Sequence, residues 1–293
     1  MTDPAALPQL APDRPPVDQP RRTWVEQVMG MPVSLHVRGP HAREQTDQAE
    51  PADRAEQAGD GAGGEVEQAV RRVIADLHRT DEIFSTYKDG SQINRIRRGE
   101  LALAESDPWV LEVAELCELA RERTDGWFDA RLPGSDGVRF FNPTGLVKGW
   151  AIARGCERLS AELPGHDVLV NAGGDIAVRC RRTDTPDWQL GIENPAERSQ
   201  VLATVPLRTG GMATSGTAAR GAHILDPATG LPVTGLLSVT VIGPDLLWAD
   251  VHATAAFAMG PDCVDHLAAL ADHLSFVVFL DGSTRTITPR TPS

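Results

Sequence analysis

A chain of 293 residues has room for one large domain or two small ones, and its 28 basic against 41 acidic residues leave it at −13. That balance argues against a nucleic-acid or anionic-membrane partner, either of which wants a basic patch. It does not exclude a small phosphorylated ligand whose charge a metal ion can neutralise. Cys117, Cys156, Cys180 and Cys263 form no CxxC pair and give no zinc or redox motif. A chain of this size does not need a disulfide framework, so reduced thiols are expected.

Residues 1 to about 22 are Pro-rich and read as a disordered tail. Pro and Asp stand there where a signal peptide needs a long apolar run. No stretch is apolar enough to span a membrane and no cysteine precedes residue 117, so no membrane anchor is visible and the cytoplasm is the expected compartment. Trp24 to Val37 reads as a hairpin turned by Gly30–Met31–Pro32, with Val33, Leu35 and Val37 alternating. The stretch from about 40 to 64 has few large apolar side chains and reads as a flexible, solvated insertion. Glu65 to about Phe84 carries Val66, Val70, Val73, Ile74 and Leu77 at helical spacing. Asp107–Pro108 starts a second helix that ends near Gly126, and a third runs from about Gly145 to Leu163.

Beyond Val168 the pattern turns to strands, near 168–170, 176–179, 188–192, 201–207, 212–214 and 236–242. Helices follow from about Ala249 to Met259 and from Pro261 to about Ala271, then a last strand, Phe276–Leu280. Consecutive strands with helices clustered elsewhere predict an α+β fold, a mixed, largely antiparallel sheet with helices packed on it. The expected layout is one domain over residues 23–285, with a C-terminal tail at 286–293.

Several short stretches carry chemistry. Asp250 and Thr254 in WADVHAT lie four apart and share one helix face. A carboxylate and a hydroxyl so placed suit a hard cation such as Mg²⁺, which keeps waters and phosphates as its remaining shell; alternatively, Asp250 caps the helix and Thr254 is a surface residue. Tyr87 is the single tyrosine, read either as a ring-stacking side chain or as a half-buried core residue. Trp127–Phe128–Asp129 lines a ring-binding slot or follows the helix-ending Gly126 as core. Lys148, near a helix start, sits where anions are favoured or is an ordinary exposed lysine; GxxxxGK[ST] is absent. NAGGDI, residues 171–176, is a Gly-rich turn that allows a ligand close, or a plain tight turn. Its Asp175 is placed to cap or bond that turn. His223, beside Asp226–Pro227, is either a general base or structural, and His252 is read as a bystander.

The order of these stretches is more specific than any one of them. MGM (29–31), STYKDGSQI (85–93), DGWFDA (125–130), TGLVKGWA (144–151), VNAGGDI (170–176), ATSG (213–216), HILDPATG (223–230), SVTVIGP (238–244) and ADVHAT (249–254) together resemble the FAD:protein FMN transferase family, the ApbE or thiamine-biosynthesis-lipoprotein-like family. The resemblance spans about residues 24 to 280. It implies an enzyme that binds FAD with Mg²⁺, moves the FMN half onto a Ser or Thr hydroxyl of a target flavoprotein, and releases AMP. It implies that Met29, Tyr87, Trp127, Phe128, Asp129, Lys148 and Ile224 contact FAD. The Gly145 carbonyl, Asp250 and Thr254 would hold the metal, and His223 would act as base. Three positions depart from the family pattern. Thr217-Ala218-Ala219 follows Thr-Ser-Gly where a Tyr is common, Met31 replaces the Thr of Met-Gly-Thr, and Trp127 replaces a small residue. Alternatives are an FAD pyrophosphatase, with water as acceptor, and a non-catalytic FAD carrier.

Overall fold

The computed structural model describes residues 20–40, 42, 62–131, 139–217, 224–227 and 229–289. The chain opens with a hairpin, β1 (Arg21–Val28) and β2 (Met31–Arg38). Its two-residue turn is Met29–Gly30, both at positive φ (55° and 72°), as a tight turn matched to strand twist requires. The turn therefore lies one residue earlier than the composition suggested, and Met31 and Pro32 already belong to β2, paired with Val28 and Gln27.

β2 continues into β3 (Asp167–Ala172), β4 (Asp175–Arg179), β7 (Thr209–Gly216), β8 (Leu236–Gly243), β9 (Leu274–Phe279) and β10 (Thr284–Ile287). With β1 these form an eight-stranded sheet in the order β1-β2-β3-β4-β7-β8-β9-β10. Every neighbouring pair is antiparallel, which is the largely antiparallel α+β sheet expected. The folded body is slightly longer than residues 23–285. Arg21 already pairs with Arg38, and Ile287 at the end of β10 is buried in the main core.

One face of the sheet is covered by helices α1 (Ala62–Phe84), α4 (Thr144–Glu162) and α5 (Leu246–Met259). Two smaller ones, α2 (Gln92–Arg97) and α3 (Pro108–Arg123), pack beside α1 and α4, and α6 (Cys263–Ala269) packs beside α5. The first turn of α1 falls inside the stretch read as an insertion. The other face is covered by a two-stranded ribbon, β5 (Trp188–Glu193) and β6 (Val201–Leu207). Side chains alternate across a strand. Val168 and Val170 of β3 thus join the helix-side core, while Leu169 meets Trp188, Leu190 and Ile192 of the ribbon. The seam between β2 and β3 is fastened by a buried ion pair, Arg38 Nη2 to Asp167 Oδ2 at 2.9 Å. Asp167 also accepts from the Arg182 amide at 3.0 Å and from the Thr185 hydroxyl.

Two glycines bring the site-bearing helices close. A Cβ on Gly211 of β7 would lie 2.4 Å from Leu246 Cα, and one on Gly149 of α4 would lie 2.8 Å from Asp250 Oδ2. α5, LLWADVHATAAFAM, is buried on nearly every side, as a helix that is apolar all round must be. Its N-terminus is capped by Asp245, whose Oδ1 accepts from the Leu247 amide at 2.8 Å. Asp250 is thus not the cap of this helix but a buried carboxylate in its second turn.

Candidate active site

A cleft of about 230 Å³ opens where α3, α4 and α5 converge, lined by Trp127, Phe128, Asp129, Asn142, Thr144, Gly145, Lys148, Ile224, Leu225, Pro227, Asp250 and Thr254. Trp127 to Asp129 follow the end of α3, where Gly126 at φ 82° turns the chain. Phe128 is fixed by its amide donating to Thr124 Oγ1 at 3.0 Å. Trp127 remains 36% exposed at the mouth. Asp129 is held by the Arg131 amide at 2.7 Å and by Arg139 Nη1 at 3.1 Å.

The floor comes from α4 and α5. The first turn of α4 is ordered by Asn142, whose Oδ1 accepts from Thr144 Oγ1 at 2.8 Å. One turn on, Lys148 forms an ion pair with Asp175. Asp175 is itself 1% exposed, and its Oδ1 accepts from the Thr214 amide at 3.3 Å. Opposite, Asp250 is 3% exposed, and Thr254 Oγ1 lies 3.1 Å from Ser215 Oγ of β7. The i, i+4 spacing read from the sequence does bring Asp250 and Thr254 to one cleft. The Asp250 carboxylate and the Thr254 hydroxyl are oxygen donors, which suit a hard cation rather than a soft one, whereas the start of α4 presents amide N–H groups that favour an anion. Among the described residues no group of three His, Cys, Asp or Glu side chains is placed to hold a metal, so such a cation would rest on few charged ligands.

Met29 lies outside this lining. It sits in the β1–β2 turn and packs partly against the core, and its neighbour Met31 reaches the β3–β4 turn, with Sδ 3.5 Å from where a Cβ on Gly173 would be. Tyr87 is 96% exposed and does not line the cleft. It is not the half-buried core residue of the alternative reading. Its loop is nevertheless pinned, because Asn94 Nδ2 donates to the carbonyls of Thr86 at 3.1 Å and Lys88 at 3.0 Å. His223 lies outside the described residues. His252 is buried against His266, 3.3 Å away, and its pKa is lowered to about 3, by burial first and then by the neighbouring His266, His273 and Arg123. It does not line the cleft.

Sequence reasoning passed over Asn142, Thr144 and Ser215, and weighed Asp175 only as a turn residue. A strand-period signal was available for Ser215. It lies two residues beyond Ala213, which is buried in the helix-side core, so it faces the same helices.

Residues 140–278 match the family model described as the ApbE family. Named relatives include an FAD:protein FMN transferase of Haemophilus influenzae, 32% identical over 128 residues, which are 40% of this chain and 37% of that protein. Another, from Escherichia coli (strain K12), is 34% identical over 104 residues, 32% of this chain and 30% of that protein. The matched part thus spans about a third of these curated relatives. Over nearly the whole chain the fold is similar to the ApbE protein of Thermotoga maritima, with TM-score 0.72 and 20% identity, covering 91% of this chain and 97% of that one. It is also similar to the flavinyl transferase ApbE of Pseudomonas stutzeri, with TM-score 0.70 and 21% identity, covering 92% and 95%. The resemblance carried by the ordered motifs therefore stands: residues 140–278 are similar to the ApbE family, and the fold is that of the solved ApbE proteins. Among the described residues no helix is long and apolar enough to cross a membrane.

Proposed function

We propose that the protein is an FAD:protein FMN transferase: it moves the FMN moiety of FAD to a Ser or Thr hydroxyl of a target flavoprotein and releases AMP. The observation that carries this reading is the meeting of Asp250, Thr254, Gly145 and Lys148 with the Trp127–Asp129 segment and Ile224 in one cleft. The curated relatives bear the same activity in their names.

In this reading Asp250, Thr254 and the Gly145 carbonyl hold Mg²⁺. When bound there, the ion would neutralise the pyrophosphate oxygens and lower the cost of charge on the departing phosphate. The protein's own groups position and exclude. Trp127 and Phe128 wall one side of the cleft against water. Lys148, fixed by Asp175, offers a cation beside the anionic ligand, and the start of α4 adds its amide dipoles. Tyr87 and Met29, from the two exposed turns, would close on the isoalloxazine ring. His223 would take the proton from the acceptor hydroxyl as its oxygen bonds to the FMN phosphorus and the P–O bond to AMP breaks. The cytoplasm is the proposed compartment, in keeping with four unpaired cysteines.

The test is to incubate the protein with FAD, Mg²⁺ and a candidate flavoprotein domain and weigh the acceptor. A mass gain of one FMN, matched by AMP and lost in Asp250→Ala, is expected. AMP and free FMN without an adduct would make it a pyrophosphatase. Bound but intact FAD would make it a carrier.

A further inference from the structure

Ser215 is buried in β7, where Ala213 and Ser215 face α5 and Thr214 faces the other way to hydrogen-bond Thr240 at 2.8 Å. Its hydroxyl lies 3.1 Å from Thr254 Oγ1. A threonine hydroxyl has one proton and two lone pairs. It can offer a lone pair to a cation in a fixed direction only if its proton has somewhere else to go. Among the described residues, the oxygen of Ser215 is within reach to receive that proton, although either hydroxyl can be the donor in this pair. The contact is between a strand and a helix whose backbones come to close range at Gly211.

We propose that Ser215 is a positioning residue for the cation site: its Oγ accepts the Thr254 hydroxyl proton, turning the Thr254 lone pairs toward the cleft and Asp250. This rests on the reading of Asp250 and Thr254 as cation ligands. The inference adds a residue that is neither a ligand nor in contact with substrate. Groups that orient metal ligands typically change metal affinity by about 10–100-fold when removed.

The experiment titrates Mn²⁺ into the folded full-length protein with FAD present and no acceptor, reading free Mn²⁺ by electron paramagnetic resonance. Ser215→Ala should weaken Mn²⁺ binding about tenfold or more with an unchanged circular dichroism spectrum. Ser215→Thr, which keeps the hydroxyl, should restore most of it. Ser215→Cys, of similar volume but a poor acceptor, should behave like alanine and serves if the alanine variant fails to fold. Asp250→Ala separates the two levels of the argument. If Asp250→Ala abolishes Mn²⁺ binding while the folded Ser215 variants bind as wild type, the role of Ser215 is overturned and the cation site stands. If Asp250→Ala also binds as wild type, the cation reading and this inference fall together.

Discussion

At the scale of single residues, Gly149 is where α4 leaves room for Asp250. Helix propensity alone says that Gly149→Ala should stabilise α4 by up to about 1 kcal/mol. The new methyl would stand 2.8 Å from Asp250 Oδ2, so the carboxylate or the helix must move. We expect Gly149→Ala to lower transfer activity and Mn²⁺ affinity by about tenfold or more with little change in Tm; a variant more stable than wild type and equally active would show that Asp250 need not stand where it does. The same contact shows what the sequence could and could not convey. The spacing of Asp250 and Thr254 was readable as one face of a helix. That Asp245 and not Asp250 is the cap depends on where α5 begins, which periodicity does not fix to within a turn in so uniformly apolar a segment. Ser215 and Asp175 come from other strands, and only the sheet order brings them to Thr254 and Lys148.

At the scale of elements, the hairpin and the ribbon are joined through His36. Its ring bonds Thr23 Oγ1 of β1 at 3.1 Å and Ser34 Oγ at 3.0 Å, and meets Trp188 edge-on with centroids 6.2 Å apart. Burial, and secondarily the charge of Arg21, lower its pKa to about 4. The cations facing it are Arg21 on the paired strand and Arg38, whose guanidinium lies over the same Trp188 ring at 4.4 Å. The folded state holds this histidine neutral while the unfolded chain protonates it near 6.5. Its contribution to stability is therefore complete above about pH 6.5 and is lost as the pH falls toward 4. Urea midpoints measured between pH 7 and 4.5 should fall less steeply in His36→Gln than in wild type. Identical slopes would remove His36 from the acid response. The other elements were mostly legible as types, because α1, α3 and α4 keep a 3.6-residue period and β2 and β5 alternate. β10 was missed because TRTI has a single buried side chain, Ile287, too little for a pattern. α2 was missed because six residues with two buried side chains carry none either.

At the scale of the whole molecule, the segment that matches the ApbE family model, residues 140–278, contains α4, α5, α6, strands β3 to β8 and all but the last residue of β9. The part before it supplies the β1–β2 hairpin and α1 to α3. The two parts share the β2–β3 seam, where Arg38 and Asp167 are paired although 129 residues apart in sequence. Removing one partner of a buried ion pair typically costs about 3–5 kcal/mol. Asp167→Ala also orphans the Arg182 amide and the Thr185 hydroxyl. Urea denaturation should show a loss of this size, and a loss below about 1 kcal/mol would mean that the seam is held by its strand ladder alone.

That seam also sets a clock. Bringing two strands together across a chain of that length costs on the order of 4 kcal/mol of closure entropy, by the logarithmic growth of loop cost with length. A hairpin such as β1–β2 closes in about 1–10 μs, so it can exist long before the strand it must dock on is in place. Until docking, Leu35 and Val37, both fully buried in the finished sheet, face water beside an open sheet edge. Docking of the hairpin carries that closure cost, and until it docks the open edge of β3 is one on which a second chain could pair.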